Sequence, residues 1–283
     1  VPRDGLAGVV GVGVIVAESD PLDPDGRWAG PQGYTLEAEP CDDITYYRTL
    51  DFCTPIDDLT DSQPPGSYLT LVEDQKPFLV GAGVTCSTFG TQLDDVLASY
   101  RAVTDRGLEL RQWSQIANEL WTGDRVNNEN RYLADANSTD VGDGETVSLV
   151  EAIGLLEDAF GNCSPGGVQV IHMPRKLVAY ASWKKLIWTT PGSGRIYTAN
   201  DSLVVADRGY PGTGPEGVEP TETTAWIYST GVLTARLGPV RHPELDLGYA
   251  VTALTNDVAV RSERAAAINW ACCHLAVNVE YGV

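Results

Sequence analysis

The chain has 283 residues, 43% of them hydrophobic, and its 39 acids against 19 bases give a formal charge of −20. This composition excludes disorder, collagen and coiled coil, and the length fits about two domains. It lacks the basic footprint of a nucleic-acid-binding module, whose affinity comes from phosphate neutralisation, and an acidic surface repels DNA.

The imbalance is concentrated early, where residues 1–75 hold fifteen acids and three bases. Pro21, Pro24, Pro31, Pro40, Pro55, Pro64 and Pro65 punctuate residues 1–66, and no helical period is visible there, so the region reads as irregular and extended. Trp28, Tyr34, Tyr46, Tyr47 and Phe52 argue against plain disorder. Two readings stay open: an arm ordered on neighbouring subunits, or a loop-rich cover over its own domain. The valine-rich run 8–17 is too short to cross a bilayer and lacks a following cleavage site, so it reads as a strand or arm. Residues 67–89 give a hairpin signal, with Tyr68, Leu69, Leu71 and Val72 before a turn at 73–77 and Phe78, Leu79 and Val80 after it. Pro77 weakens a central-strand assignment.

The strongest helix covers 92–121, with Thr91 as N-cap and Asp94 three residues on. Leu93, Val96, Leu97, Tyr100 and Val103, then Leu110, Trp113, Ile116, Ala117, Leu120 and Trp121, predict one apolar stripe. Such a helix spans about 45 Å. Gly107 is a candidate bend and Gly123 a natural stop. Residues 124–146 read as polar loop. Ser148 and Glu151 make a capping box for a helix to about Phe160, which 162–167 ends. A short strand over 168–173 precedes a helix opened by Pro174 and running to about Ile187. Strands are predicted over 195–198, 202–206, 225–229, 232–237, 257–261, 266–270 and 274–279, with the Gly/Pro stretch 209–220 between them. The helix–strand–helix segment fits an α/β or α+β domain; short neighbouring strands favour antiparallel pairing, and the preceding helices argue against a pure sandwich.

Chemical motifs are weak. Gly8-x-x-Gly11-x-Gly13 lacks the dinucleotide-binding order, Gly192-x-Gly194 lacks the lysine of a phosphate loop, and 209–217 reads as a structural turn. No G-x-S-x-G occurs. His172 and His274 sit at ends of apolar strands as structural histidines, and His242 before Pro243 reads as exposed. Adjacent pairs such as Asp42-Asp43, Asp57-Asp58 and Asp94-Asp95 point their carboxylates apart. Cys41, Cys53, Cys86, Cys163, Cys272 and Cys273 form no CxxC and read as reduced and structural, with disulfides as the alternative. A strand would turn Cys272 and Cys273 to opposite faces. No zinc spacing is present, and no metal or other cofactor is expected. The seven tryptophans read as core and interface packing rather than sugar or base stacking. Arg261-Ser262-Glu263-Arg264 reads as a charged turn between two strands, or as a source of intersubunit ion pairs.

Several phrases carry a resemblance: Glu119-Leu-Trp121-Thr-Gly123, Asn130-Arg-Tyr132-Leu-Ala134, Val170-Ile-His172-Met-Pro174, Asp207-Arg-Gly209-Tyr-Pro-Gly212, Trp226-Ile-Tyr-Ser-Thr-Gly231 and Val260-Arg-Ser-Glu-Arg264. Together, over 78–280, the chain resembles major capsid proteins of tailed phages infecting actinobacteria. That resemblance implies the Hong Kong 97-like fold, with an N-terminal arm at 1–66, an E-loop hairpin at 67–91, and a peripheral domain with its spine helix at 92–146. It further implies an axial domain at 147–240 and a return to the peripheral domain at 241–283. It implies a non-enzymatic subunit of hexameric and pentameric capsomers that encloses double-stranded DNA without specific recognition, assembles in the host cytoplasm and resides in the virion, with no membrane partner. Portal, scaffold, protease and decoration proteins are the implied partners. Trp28, Tyr34, Tyr46, Lys76, Phe78, Arg261, Glu263 and Arg264 are the candidate intersubunit contacts. Some members of this fold class join an E-loop lysine to a neighbour's asparagine, and Lys76 is the lysine in that position here; solubility or an ion pair explains it more simply. The alternatives are an encapsulin-like compartment, a tail or decoration protein, and a carbohydrate-active enzyme.

Overall fold

The computed structural model describes residues 16–18, 76–87, 93–126, 130–164, 167–243, 251–252, 257–270 and 273–281. The readings made for Trp28, Tyr34, Tyr46, the first hairpin strand, the Gly8–Gly13 motif and the Thr91 cap lie outside these residues. In chain order the elements begin with β1 (Val16–Glu18), β2 (Phe78–Ser87) and α1 (Leu93–Thr122). Then come β3 (Thr139–Asp140), β4 (Thr146–Ser148), α2 (Leu149–Cys163), β5 (Val170–His172) and α3 (Arg175–Trp183). Strands β6 (Ile187–Thr189), β7 (Ile196–Thr198), β8 (Leu203–Val205), β9 (Thr224–Thr230) and β10 (Leu233–Leu237) follow. The last are β11 (Val251–Thr252), β12 (Asp257–Trp270) and β13 (His274–Glu280). The architecture is α+β, with two mixed sheets and three α-helices among the described residues.

The first sheet is built on β12, fourteen residues long. The predicted turn at 261–264 is not there: the strand runs through it, because Arg261, Ser262, Glu263 and Arg264 each pair with β2. Strand β2 lies antiparallel to β12 from Phe78↔Ala266 to Ser87↔Asp257, while β10 pairs with residues 266–270. Pro77 immediately precedes β2, so its missing N–H costs no ladder bond.

Helix α1 lies against β2 and β12 and is unbroken through Gly107. That glycine marks close approach, not a bend: a Cβ there would stand 3.2 Å from Ala82 Cβ. The predicted apolar stripe holds at Ile116, Ala117, Leu120 and Trp121, which are buried, and is corrected at two positions. Val103 and Leu110 are 57% and 74% exposed, whereas Thr104 and Leu108 are buried. The helix meets the sheet partly through polar straps. Thr104 Oγ1 lies 2.7 Å from Ser262 Oγ, and Gln115 both accepts from Gly81 N and donates to Gly81 O. Gly123 ends the helix with φ +68° and donates its N–H to Glu119 O.

The second sheet runs β3-β13-β9-β5-β8-β7-β6, with β4 also on β13. Period-two alternation divides its residues between two cores. Ile171, Val204, Ile227, Leu275 and Val277 join Leu149, Ala152, Leu156 and Phe160 of α2 and Leu177 and Ala181 of α3. Val170, Val205, Tyr228 and Ala276 instead join Ile116, Ala117, Leu120 and Trp121 from the last turns of α1. One helix therefore contributes to the packing of both sheets. Ser148 caps α2 by accepting from Glu151 N at 3.3 Å, as its box predicts. Helix α3 stops at Trp183 rather than Ile187, because Lys185 turns left-handed (φ +59°) and Ile187 enters β6.

The reduced-cysteine expectation is corrected in part. Cys163 at the end of α2 and Cys273 just before β13 are disulfide-bonded, with Cα atoms 5.9 Å apart.

Candidate functional site

Of the candidate contact residues within the described chain, five lie on or beside the β2–β12 pair. The two cross-strand partners Gly81↔Glu263 and Gly83↔Arg261 explain the glycines of β2. A Cβ on Gly83 would meet Arg261 Cγ at 3.2 Å, and one on Gly81 would meet Glu263 Cβ at 3.3 Å. The missing side chains leave a surface cleft lined by Gly81, Gly83, Arg125, Arg261 and Glu263. Arg125 reaches across and donates to Leu79 O at 2.7 Å.

Arg264 lies on the other face of β12. It donates to Gly238 O at 2.7 Å and to Gln112 at 3.3 Å, and burial lowers its pKa. Phe78 is 4% exposed within its own chain's core. Lys76 is clamped through its backbone: its N–H donates to Asn130 Oδ1, and Asn130 Nδ2 donates to its carbonyl, both at 2.7 Å. Sequence reading missed Asn130 in this role, since a lone asparagine carries no signal of a partner 54 residues away.

The histidines are held by hydrogen bonds. His172 is fully buried, with Nδ1 2.9 Å from Tyr210 Oη and Nε2 2.9 Å from Thr230 Oγ1. Thr230 gives its own hydroxyl proton to Gly231 O, so it accepts from Nε2–H and Tyr210 donates to Nδ1. Burial, aided by the charge of His274, pushes His172 down to about 3. His274 lies 2.9 Å from Leu133 O, and burial lowers its pKa too. His242 departs from its exposed reading: only 22% of its side chain is accessible, and Nε2 lies 2.8 Å from Asp105 Oδ1. Ser262 donates to the same oxygen at 2.6 Å. Desolvation of Asp105 works against ionisation, but the Ser262 and His242 contacts outweigh it and its pKa falls. The serine and histidine both serve one carboxylate, which is not the order in which a base activates a nucleophile.

A second polar cluster lies where α2 meets β8. Thr198 and Asn200 donate to Glu157, and the single hydroxyl proton of Ser202 lies between Gln169 Oε1 at 2.6 Å and Glu157 Oε1 at 3.1 Å. These groups satisfy one another beside an open cleft. The 209–217 segment is more than a turn: Gly209 sits against Ser114 and Asn118 of α1, and Gly214 against the Trp226 ring. Among the described residues no group of three or more His, Cys, Asp or Glu side chains could hold a metal ion. No helix among them is long and apolar enough to cross a membrane.

No protein family matches the chain, and no curated protein gives a significant match. Among solved structures it is similar to the capsid of Ralstonia phage GP4, at 10% identity and TM-score 0.46 over 88% of this chain and 83% of that one. It is similar to Gordonia phage Cozz at 10% identity and TM-score 0.47, covering 89% and 82%. It is also similar to the holo-SrpI encapsulin complex from Synechococcus elongatus, at 9% identity and TM-score 0.44, covering 77% and 79%.

Proposed function

We propose that the chain is a shell-forming structural subunit: a major capsid protein of a tailed phage, with the Hong Kong 97-like fold, that self-assembles into an icosahedral head around double-stranded DNA. The observation that carries this reading is the frame formed by α1, β2 and β12. A 30-residue helix is strapped along a ten-residue strand pairing, while Leu79, Val103 and Leu110 remain exposed on its elements. Large apolar side chains on the outside of a rigid frame suit burial between subunits. The six phrases of the resemblance fall in the same region and beyond it, and they supply the actinobacterial-phage form of the reading.

In this proposal α1 is the spine of a peripheral domain over 92–146, and 147–240 is the axial domain. Residues 241–283 return to the peripheral domain, 67–91 form the E-loop, and 1–66 form the arm. Trp28, Tyr34, Tyr46, Lys76, Arg261, Glu263 and Arg264 are contact candidates in hexameric and pentameric capsomers; Phe78, named with them from the sequence, is withdrawn because it is buried in its own chain's core. The acidic balance suits a wall that confines DNA without gripping it. Portal, scaffold, protease and decoration proteins are proposed partners, with assembly in the host cytoplasm and residence in the virion. The test is nuclease protection of particles purified from producing cells. A capsid retains nuclease-resistant genomic DNA. Closed particles holding a protein cargo and no DNA would indicate an encapsulin-like compartment instead.

A further inference from the structure

Charge is distributed unevenly in this acidic chain. Residues 159–200 contain no carboxylate and five bases: Arg175, Lys176, Lys184, Lys185 and Arg195. Three of the chain's four lysines therefore sit on α3 and the turn that ends it. The fold gathers aromatic rings around them. Lys184 Nζ stands 4.8 Å from the Trp183 ring centre and 5.4 Å from that of Tyr180, and Lys176 Nζ stands 4.7 Å from that of Tyr281. Tyr180 lies within 5.8 Å of Trp183 and 6.5 Å of Tyr281, centre to centre. Among the described residues, neither Lys184 nor Lys185 pairs with a carboxylate. Beside the rings a cleft runs between Val150, Tyr180, Lys184 and Leu186, with Glu280 at its edge.

Two observations decide what kind of partner fits. The first is apolar exposure: Trp183 is 70% exposed, Val150 58%, and Trp188 on the neighbouring edge strand β6 42%. Exposed tryptophan beside cations is the composition of a protein-binding hot spot. The second is the charge of the whole chain, −20, which opposes a long polyanion while leaving one short acidic segment free to dock. The sequence contains such a segment. Residues 37–61 carry eight acids against Arg48 alone, together with Tyr46, Tyr47 and Phe52.

We propose that the α3 face, centred on Lys176, Trp183 and Lys184, docks residues 37–61 of a second copy of this chain. The choice of a second copy as occupant rests on the self-assembly reading; the surface itself does not. Carboxylates of the incoming segment meet the lysines, and its rings lie against Trp183 and Tyr180. This gives the acidic early region a defined target on a neighbour.

The test mixes full-length chain carrying ordinary nitrogen with full-length chain carrying 15N, then treats the assembled material with a water-soluble carbodiimide. The reagent takes up the carboxylate oxygen as a urea while the lysine amine forms an amide. Mass spectrometry is expected to find Lys176 or Lys184 joined to acids within 37–61 in mixed-isotope pairs. Lys176→Glu with Lys184→Glu removes both amines and abolishes these pairs, and adding Asp57→Lys with Asp58→Lys in the same chain is expected to restore mixed-isotope cross-links between positions 176 or 184 and positions 57 or 58, with amine and carboxylate exchanged. Cross-links confined to Glu151 or Glu280 of the same chain would overturn the proposal. So would binding of a short DNA duplex that Lys184→Glu abolishes without any cross-link between copies. The cross-link is read on any associated species, so its presence without closed particles would count against the shell reading alone, and closed particles without it against this proposal alone.

Discussion

Acidification from pH 7.5 to pH 5 tests the buried state of His172. Its ring is fully buried, both nitrogens are used by Tyr210 and Thr230, and burial holds its folded pKa at about 3. The unfolded value is about 6.5. Because the folded value is the lower, the unfolded chain binds more protons between these two values, and stability falls as pH falls through that window. At pH 5 the folded ring is still neutral, so unfolded-state protonation sets the magnitude, about 2 kcal/mol lost relative to pH 7.5. Other groups titrate nearby. Burial raises the Glu119 carboxyl, whose contribution runs the opposite way, and burial lowers His274, whose contribution runs the same way. A His172→Gln variant separates them, since it keeps hydrogen-bonding capacity without titrating. Urea unfolding of both chains at both pH values should show the wild-type advantage shrinking by about 2 kcal/mol at pH 5. An advantage that is the same at both pH values would refute the buried neutral histidine.

Three further outcomes follow from the fold. Gly209→Val places a branched side chain against the Ser114 carbonyl and about where Asn118 N sits, 2.6 Å from the first added carbon, so it should cost about 2 kcal/mol and lower the thermal midpoint; an unchanged midpoint would contradict the seating of that loop on α1. Reducing the Cys163–Cys273 bond, which spans 110 residues, should destabilise the chain by about 3–5 kcal/mol in urea, and a non-reducing digest should yield the two cysteine peptides joined; separate peptides would exclude the bond. Removing the proline-rich residues 1–60, and with them the three-residue edge strand β1 that pairs with β10, should abolish assembly while lowering the thermal midpoint only by the loss of that short edge pairing, and normal particles from the truncated chain would contradict an assembly role for that region.

What the sequence revealed was mostly local. The capping box at Ser148, the stop at Gly123 and the apolar run entering β5 depend on neighbours within a few residues, and each was legible. What it concealed was set by partners far along the chain. Arg261–Arg264 looks like a solvated turn because four polar residues interrupt two apolar runs. It is strand because Ser262 meets Thr104 and Asp105 across more than 150 residues, while Arg261 and Glu263 overlie two glycines. Gly107 looked like a bend because its use, room for Ala82, lies on another element. Val103 and Leu110 were drawn into a stripe by spacing alone, although Thr104, Leu108 and Gln115 are the residues that meet the sheet or its core. The same long-range pairing hid the disulfide, since its two cysteines carry no spacing signature.

Negative-stain electron microscopy of the full-length chain, purified from producing cells under native conditions, tests the shell reading most directly. Closed particles of uniform diameter with capsomer-like surface units are expected. Monodisperse monomers at the same concentration and salt would contradict it.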